Sequence, residues 1–411
     1  MTLQSFQVLQ RAANGAAQIT QDNGTIVEIT TGGPYEIGDA TDVLVGDIWV
    51  LAGQSNMEGC GRQVDMETSS PLVRSLQSRE VWAVAEEPLH WLDESPRPVH
   101  RKINGMPPPP EVPDPRNSRD YGAGLGLTFA KLIQARTGVP VGLIPSAHGG
   151  TSMDQWNPAR AATEGDHSLY GATLSRIRES GGKVAGILWY QGESDASPED
   201  APKYADRMIH LIQSFRTDLG QPDLPFYLVQ LGTFVTPGDA DQHHSWSAIR
   251  EAQRLLPQAL PYVGVVSAID LDLDDGIHIS TAGLKRLGKR LANVVSGFPS
   301  PELGEIKVAR PAVGNYTIVR VSFQNVRGGL RAEGRPYGFS LRDAAGNDIH
   351  QIFKTTLEGD TAILHVGCEV LPAGLSLWYG YGLDSYCNIT DAEDAAIPAF
   401  GPISISTDSS L

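Results

Sequence analysis

Between residues 43 and 298, short apolar runs alternate with segments that have the hydrophobic spacing of helices. The apolar runs that predict strands are 43–52, 139–144, 184–190, 226–231 and 262–271. Helices are predicted at 125–136, 167–179, 245–256 and 280–295, and a further helix is predicted to start at Ser197. Because strands that alternate with helices form parallel sheets, we expect a layered α/β domain with helices on both faces of a parallel sheet.

The residues on either side of this region have a different pattern. Residues 1–42 and 299–411 contain short strand-like runs separated by Gly- and Pro-containing turns. We therefore predict an N-terminal β segment at 1–42, an α/β domain at 43–298 and a β-rich, sandwich-like accessory domain at 299–411. The two β parts are candidates for one joint accessory domain.

A long segment, residues 58–121, separates the first predicted strand from the first long helix. It contains the proline-rich run 106–115. A connection of this length in a compact domain is often functional, and Trp91, Arg116 and Arg119 could shape a cleft. A surface excursion without a role explains the segment equally well.

Composition and charge exclude some classes of protein. The 411 residues are 41% hydrophobic, and 32 Lys and Arg face 48 Asp and Glu, for a formal net charge of −16. This balance argues against a nucleic-acid partner, which requires a basic surface. No apolar run approaches the roughly 18–20 residues of a membrane span. The first residues do not resemble a signal peptide, so the protein is expected to be cytoplasmic, or secreted or periplasmic after removal of a leader.

The cysteines and histidines give weaker signals. A Cys368–Cys387 bridge is possible, but two unpaired thiols are the favoured interpretation, and Cys60 is interpreted as structural. His243 and His244 lack the spacing of a metal site, so a solvated loop is expected there and no metal is predicted.

Polar clusters follow four of the predicted strands. In an open α/β sheet, ligands bind at the carboxyl ends of the strands, and four clusters at corresponding ends indicate an active site. The clusters are "GQSN" (53–56), "SAHGGT" (146–151), "QGESD" (191–195) and "DDGIH" (274–278).

These clusters contain the groups needed for acyl transfer. Ser55 is a candidate nucleophile, His278 the base that takes its proton, and Asp275 the carboxylate that orients the imidazole. There are alternatives for each residue. Ser55 could simply form a turn, and His278 could cap a helix. Asp275 could also cap a helix, and Asp272 or Asp274 would then orient the imidazole ring.

An oxyanion formed during attack needs hydrogen-bond donors aimed at it. The candidates are the Ser55 N–H, the N–H groups of Gly149 and Gly150, and the Gln191 side-chain amide. Four neighbours could support the site or contact substrate: Gln54, Asn56, Glu193 and His148. Local hydrogen bonds are favoured for Asn56, a structural role for Glu193 and simple solvation for His148.

The motifs "GQSNM" (53–57), "GGTS" (149–152), "WYQGESD" (189–195) and "DGIH" (275–278) together resemble the four blocks of the SGNH hydrolase superfamily. They are most similar to the branch that contains sialate O-acetylesterases and carbohydrate esterase family six acetylxylan esterases. The resemblance implies a three-layer α/β/α, flavodoxin-like domain and a Ser55–His278–Asp275 triad. It also implies removal of acetyl groups from carbohydrate without a cofactor. The usual third-block Asn is replaced by Gln191, so the third oxyanion donor stays open.

Two other functions compete with a serine esterase. A glycoside hydrolase would use Glu193 and Asp275 as paired carboxylates, but this leaves Ser55 without a purpose. A non-catalytic carbohydrate-binding protein would use residues 299–411. The sequence leaves open which acetylated sugar (xylan, sialic acid or a related glycan) is the substrate, and it leaves the oligomeric state undetermined.

Overall fold

A computed structural model describes residues 3–20, 24–104 and 119–405 of the chain. The N-terminal strands are β1 (Val8–Gln10), β2 (Ala16–Thr20), β3 (Ile26–Thr30) and β4 (Gly32–Ile37). The α/β region that follows consists of β5 (Ala40–Gly53), α1 (Ser55–Glu58), β6 (Gly61–Arg62), β7 (Val73–Leu76), β8 (Trp82–Val84), α2 (Pro98–Asn104), β9 (Tyr121–Ala123), α3 (Gly126–Thr137), β10 (Val141–Pro145), α4 (Ala161–Glu164), α5 (Leu169–Glu179), β11 (Gly186–Tyr190), α6 (Tyr204–Asp218), β12 (Phe226–Gln230), α7 (Ala240–Ala259), β13 (Val263–Ser267) and α8 (Thr281–Val295). The C-terminal region contains β14 (Glu302–Ala309), β15 (Thr317–Gln324), β16 (Leu330–Ala332), β17 (Phe339–Arg342), β18 (Ile352–Glu358), β19 (Thr361–Val366), β20 (Ser376–Tyr379), β21 (Ile389–Asp391) and β22 (Phe400–Ser404).

The central sheet has the strand order β13-β12-β11-β5-β10-β7-β8, and all neighbours are parallel except β7 and β8. Helices α3 and α8 pack against each other, as do α6 and α7, and both pairs contact the sheet. Every residue of β10 and β11 is buried, as expected for strands covered on both faces. The predicted α/β fold with a mostly parallel sheet is confirmed.

The register of the sheet brings the predicted polar clusters together. Gly53, the last residue of β5, is paired with Tyr190 of β11, and Leu51 is paired with Pro145 of β10. The chain segments that follow β5, β10 and β11 therefore leave the same edge of the sheet side by side. Gly53 is required at this point, because a Cβ there would lie 2.1 Å from the carbonyl oxygen of Tyr190 and its φ is 132°.

Two local predictions were wrong. Ser197 makes the predicted capping bond, because its Oγ accepts the Asp200 N–H, but a turn at 198–200 and a 3-10 turn at Ala201–Lys203 follow, and α6 begins only at Tyr204. His243 and His244 do not lie in a solvated loop but on α7, which begins earlier than predicted. Asp239 and Gln242 close a capping box at its start, which stabilises the additional turn.

The long insert is not a structureless loop. Its strands β7 and β8 extend the central sheet at one edge, and β6 pairs with β9. The proline-rich run and Arg116 lie outside the described residues.

The two terminal β regions bury separate hydrophobic clusters among the described residues, so they do not share a core. β1 and β4 both pair with the first half of β5, so the predicted boundary at residue 42 falls inside this strand. The predicted boundary at residue 298 falls between α8 and β14.

The C-terminal region docks on the α/β region through buried polar contacts. Arg250 of α7 is 1% exposed and donates to the carbonyl oxygens of Gly380 (2.8 Å) and Gly382 (2.6 Å). The three cysteines are unpaired, as the sequence favoured. Among the described residues, the helices are too short or too polar to cross a bilayer.

Candidate active site

Ser55, His278 and Asp275 form a hydrogen-bonded series at the carboxyl edge of the sheet. Ser55 begins α1 directly after β5, and its Oγ lies 3.0 Å from His278 Nε2. His278 Nδ1 lies 2.6 Å from Asp275 Oδ2 on the other side of the ring. The structure therefore brings together the three residues that the sequence selected from segments more than 200 positions apart. Ser280, and not Asp275, caps α8.

The Asp275 carboxylate is held ionised by the turn that contains it. Its Oδ1 accepts the backbone N–H groups of Ile277 and His278, each at 2.8 Å. Partial burial disfavours the charge, but these bonds and the contact with the His278 ring outweigh it and lower the pKa of Asp275. A carboxylate that stays charged can fix the imidazole tautomer and stabilise its protonated form.

Asn56 connects the serine loop to the histidine loop. It is buried, its Oδ1 accepts the Ile279 N–H (2.9 Å), and its Nδ2 donates to the carbonyl oxygen of Ile277 (3.3 Å) and to Glu193 Oε1 (2.9 Å). The bonds to 277 and 279 flank His278 on both sides. Asn56 therefore fixes the backbone on both sides of His278, through longer-range bonds than the local ones favoured from the sequence.

The hydrogen-bond donors proposed for the oxyanion differ in whether they already have an acceptor. The N–H groups of Ser55 and Gly150 have no acceptor among the described residues. The Gly149 N–H donates to Glu58 Oε2 at 2.8 Å. The Gln191 side chain is fully buried and its Nε2 donates to the carbonyl oxygen of Thr151 and to Asp195 Oδ2. The Gln191 amide therefore donates to these two buried acceptors. It does not serve the cleft as the oxyanion donor that the sequence suggested.

His148 is not solvated, which corrects the favoured sequence interpretation. It is 1% exposed, and its Nδ1 lies 2.8 Å from His100 Nδ1 with the two rings stacked. Burial lowers the pKa of His148 to about 4, so the ring is neutral at physiological pH. Gln54 is also buried, and one orientation of its amide places Nε2 3.2 Å from Glu193 Oε2.

A cleft of about 690 Å³ opens above Ser55 and His278. The insert supplies much of one wall, and its contributions are Glu58, Cys60, Arg62, Asp120 and Tyr121. The insert therefore lines the cleft, which decides between the two interpretations of this segment that the sequence allowed. Glu58 could have been found from its spacing, because it lies three residues after Ser55 on α1. Nothing in the sequence indicated Asp120 or Tyr121.

The two carboxylates considered for a glycoside hydrolase, Glu193 and Asp275, already have partners. Glu193 is bound to Asn56 and Asp275 to His278, so neither is placed as one member of a free acid–base pair. Burial raises the pKa of Glu193. The described residues contain no cluster of His, Cys, Asp and Glu suited to a metal ion.

A hydroxyl, an imidazole and a carboxylate in hydrogen-bonded series at the edge of a parallel α/β sheet form the arrangement that activates the serine of serine-dependent hydrolases. Residues 45–296 match the family described as carbohydrate esterase, sialic acid-specific acetylesterase. The chain belongs to this family, which confirms the resemblance found in the motifs.

Similar proteins agree with this family. A probable carbohydrate esterase from Arabidopsis thaliana is 32% identical over 269 residues, which cover 60% of this chain and 88% of that protein. The sialate O-acetylesterase from Homo sapiens is 25% identical over 236 residues, 49% of this chain but only 42% of the human protein. The crystal structure of a carbohydrate acetylesterase from Xanthomonas citri has the same fold, with a TM-score of 0.69, 23% identity and 97% of both chains covered. These comparisons give no support to a glycoside hydrolase or a non-catalytic binding protein.

Proposed function

We propose that the protein removes O-acetyl groups from carbohydrate by covalent catalysis at Ser55. The observation that carries the proposal is the series of hydrogen-bond distances from Ser55 Oγ through the His278 ring to Asp275. A serine hydroxyl is a weak nucleophile until a base takes its proton, and His278 Nε2 is placed to do this.

In the first half-reaction, Ser55 Oγ attacks the acetyl carbonyl carbon while His278 accepts the hydroxyl proton. The negative charge on the carbonyl oxygen is stabilised by the free N–H groups of Ser55 and Gly150. The sugar oxygen leaves with the proton from His278, and the acetyl group remains on Ser55. Water activated by His278 then hydrolyses this ester, which releases acetate and restores the serine. Asp275 stabilises the protonated ring in both halves.

The substrate is an acetylated carbohydrate such as acetylated xylan, an O-acetylated sialic acid or a related glycan. The family and the human relative support sialate esters, and the open cleft has room for a glycan that continues beyond the acetylated sugar.

The test is hydrolysis of p-nitrophenyl acetate by the wild type, Ser55→Ala and Ser404→Ala. Ser404 is an exposed serine on β22 and serves as the matched control. We expect Ser55→Ala to lose at least about 10³-fold in kcat, as for other nucleophile deletions, and Ser404→Ala to keep full activity. Equal activity of Ser55→Ala and wild type would overturn the serine mechanism. Acetate release from acetylated xylan oligosaccharides and from O-acetylated sialic acid then identifies the preferred substrate.

A further inference from the structure

The Glu58 carboxylate is hydrogen-bonded to a backbone N–H group beside Ser55. Its Oε2 accepts the Gly149 N–H at 2.8 Å, the donor that the sequence had nominated for the oxyanion. A Cβ at Gly149 would lie 3.2 Å from this oxygen and 3.3 Å from the Ser55 Cβ. The carboxylate, the glycine and the nucleophile are therefore close neighbours in the cleft.

A charged Glu58 in this position would oppose an oxyanion that develops at Ser55. An acetyl oxyanion that used the Gly149 N–H would have to displace Glu58 from it. An oxyanion that used only the other donors would still develop within a few ångströms of a second negative charge. Like charges at such separations repel, and the low exposure of the Glu58 side chain (13%) leaves this repulsion poorly screened.

Arg119 is a second possible partner for the Glu58 carboxylate. Its Nη2 lies 3.9 Å from Glu58 Oε1, close enough for an ion pair but too far for a hydrogen bond. The guanidinium is held over the rings of Tyr121 (4.4 Å) and Trp91 (5.1 Å). Arg119 Nε is buried and has no hydrogen-bond partner among the described residues. The guanidinium therefore lies against two aromatic rings, donates from Nη1 to the His90 carbonyl oxygen (3.3 Å), and still has an unused donor.

Glu58 needs one of these two partners. Its side chain is 13% exposed, so water gives the charge little support. Burial raises the pKa of Glu58, against the opposing effects of the Gly149 N–H and Arg119. The Gly149 N–H and the Arg119 guanidinium are two neighbours that favour the charged form of this carboxylate.

We propose that Glu58 and Arg119 are positioning residues of the oxyanion site. Glu58 holds the Gly149 N–H in the empty enzyme, and it moves onto Arg119 when the acetyl carbonyl enters, which releases this N–H as an additional oxyanion donor. The inference rests on the proposed function, because it assumes an oxyanion at Ser55.

The kinetic test uses Arg119→Gln, Glu58→Gln and the double variant in the full chain, with p-nitrophenyl acetate. Arg119→Gln removes the second position, so kcat/KM should fall by about 10- to 100-fold, the range for losing a hydrogen bond to a charged group. Glu58→Gln alone should raise kcat/KM above the wild-type value, because it removes the negative charge beside the oxyanion. In the double variant, Glu58→Gln should restore kcat/KM to within about threefold of the wild type. Arg178→Gln, a change at an exposed arginine on α5, is the matched control.

The rescue is the decisive result. If Glu58 only fixes the loop, Glu58→Gln lowers activity or leaves the double variant as impaired as Arg119→Gln, and either result overturns the proposal. An unaffected Arg119→Gln overturns it as well. If Arg119→Gln does not fold, Glu58→Gln alone decides, and a kcat/KM at or below the wild-type value is the contrary result.

A second measurement does not depend on turnover. The ¹⁵N shift of the Gly149 amide should follow an acid titration that Glu58→Gln abolishes. If no such titration is seen, the bond from Gly149 to Glu58 is not formed and the proposal fails. If Ser55→Ala is as active as the wild type, the proposed function fails, and the amide titration still reports separately on the Glu58 contact.

Discussion

Replacement of Asn56 by alanine should weaken both the fold and the catalytic site. The Asn56 side chain is 1% exposed and bonds the Ile279 N–H, the Ile277 carbonyl and Glu193 across the cleft floor. Alanine leaves these groups without their partner, and Ile279 is itself fully buried. Each buried polar group left unpaired costs about 1–3 kcal/mol, and one of the three bonds is long. We therefore expect the free energy of unfolding to fall by about 2–4 kcal/mol.

The same change should lower kcat, because the lost bonds flank His278. Displacement of a catalytic group by an ångström costs on the order of 10²-fold in rate. We expect kcat for p-nitrophenyl acetate to fall by about 10- to 100-fold with a smaller change in KM. Guanidinium unfolding followed by tryptophan fluorescence gives the stability, and steady-state kinetics give the rate. Asn347→Ala, at an exposed asparagine in the C-terminal region, is the matched control.

Asn56→Asp tests the hydrogen bonds of Asn56 while keeping a side chain of nearly the same size. Aspartate keeps the acceptor for the Ile279 N–H but places a second carboxylate oxygen against Glu193. Because the pKa of Glu193 is already raised by burial, protonation of this pair should partly restore stability as the pH falls from 7 to 5. The reasoning is refuted if Asn56→Ala stays within about 0.5 kcal/mol of wild-type stability and within twofold of its kcat.

Four other predictions concern separate parts of the molecule. Asp275→Asn should lower kcat by about 10³- to 10⁴-fold, measured with p-nitrophenyl acetate, because an amide stabilises the wrong tautomer; a loss below tenfold would contradict the role of this carboxylate. Burial raises the pKa of Cys60 to about 12, so at pH 8 it should react with iodoacetamide far more slowly than free cysteine; fast labelling in a mass-spectrometric time course would contradict this. Burial lowers the pKa of His90 to about 3 and of His148 to about 4, so the unfolded chain binds more protons than the folded chain below pH 6.5. The free energy of unfolding should therefore fall as the pH is lowered from 6.5 to 4. His90→Gln should flatten this pH dependence, and an unchanged pH dependence would contradict the role of His90. Arg250→Ala should destabilise the chain by about 3 kcal/mol or more in urea unfolding, because it strands buried carbonyl groups between the α/β and C-terminal regions, whereas a loss under about 1 kcal/mol would show that the contact is dispensable.

Much of the fold follows from local patterns along the chain. The run predicted as the first strand, 43–52, lies within β5, and the helix predicted at 280–295 differs from α8 by one residue at its start. These elements depend on the spacing of apolar residues and on caps such as Ser280, which act within a few positions. The helix start predicted at Ser197 failed, although its capping residues were present. Ser197 uses its hydroxyl to close a turn, and a second proline-containing turn follows before α6.

The partners of buried polar groups could not be predicted in this way. His148 looks like an exposed loop residue beside two glycines, but His100 from the insert covers it. Gln191 has a donor suited to an oxyanion, but Asp195 and the Thr151 carbonyl take it first. His100 and Thr151 come from other segments of the chain, and Asp195, four residues after Gln191, reaches the amide only through the turn between them. Three-dimensional distance therefore determines which bond forms.

The sequence by itself determined the alternation of strands and helices and the polar clusters at the strand ends, and it singled out Ser55, His278 and Asp275 as candidates. These depend on hydrophobic periodicity and residue chemistry, which can be read one segment at a time. Only the tertiary structure decided which donors remain free and which walls enclose the cleft. It alone showed that Asn56 and Glu58 link the serine loop to the loops of His278 and Gly149. Hydrogen bonds depend on distances of a few ångströms between segments far apart in the chain, and these distances exist only once the sheet has set its register.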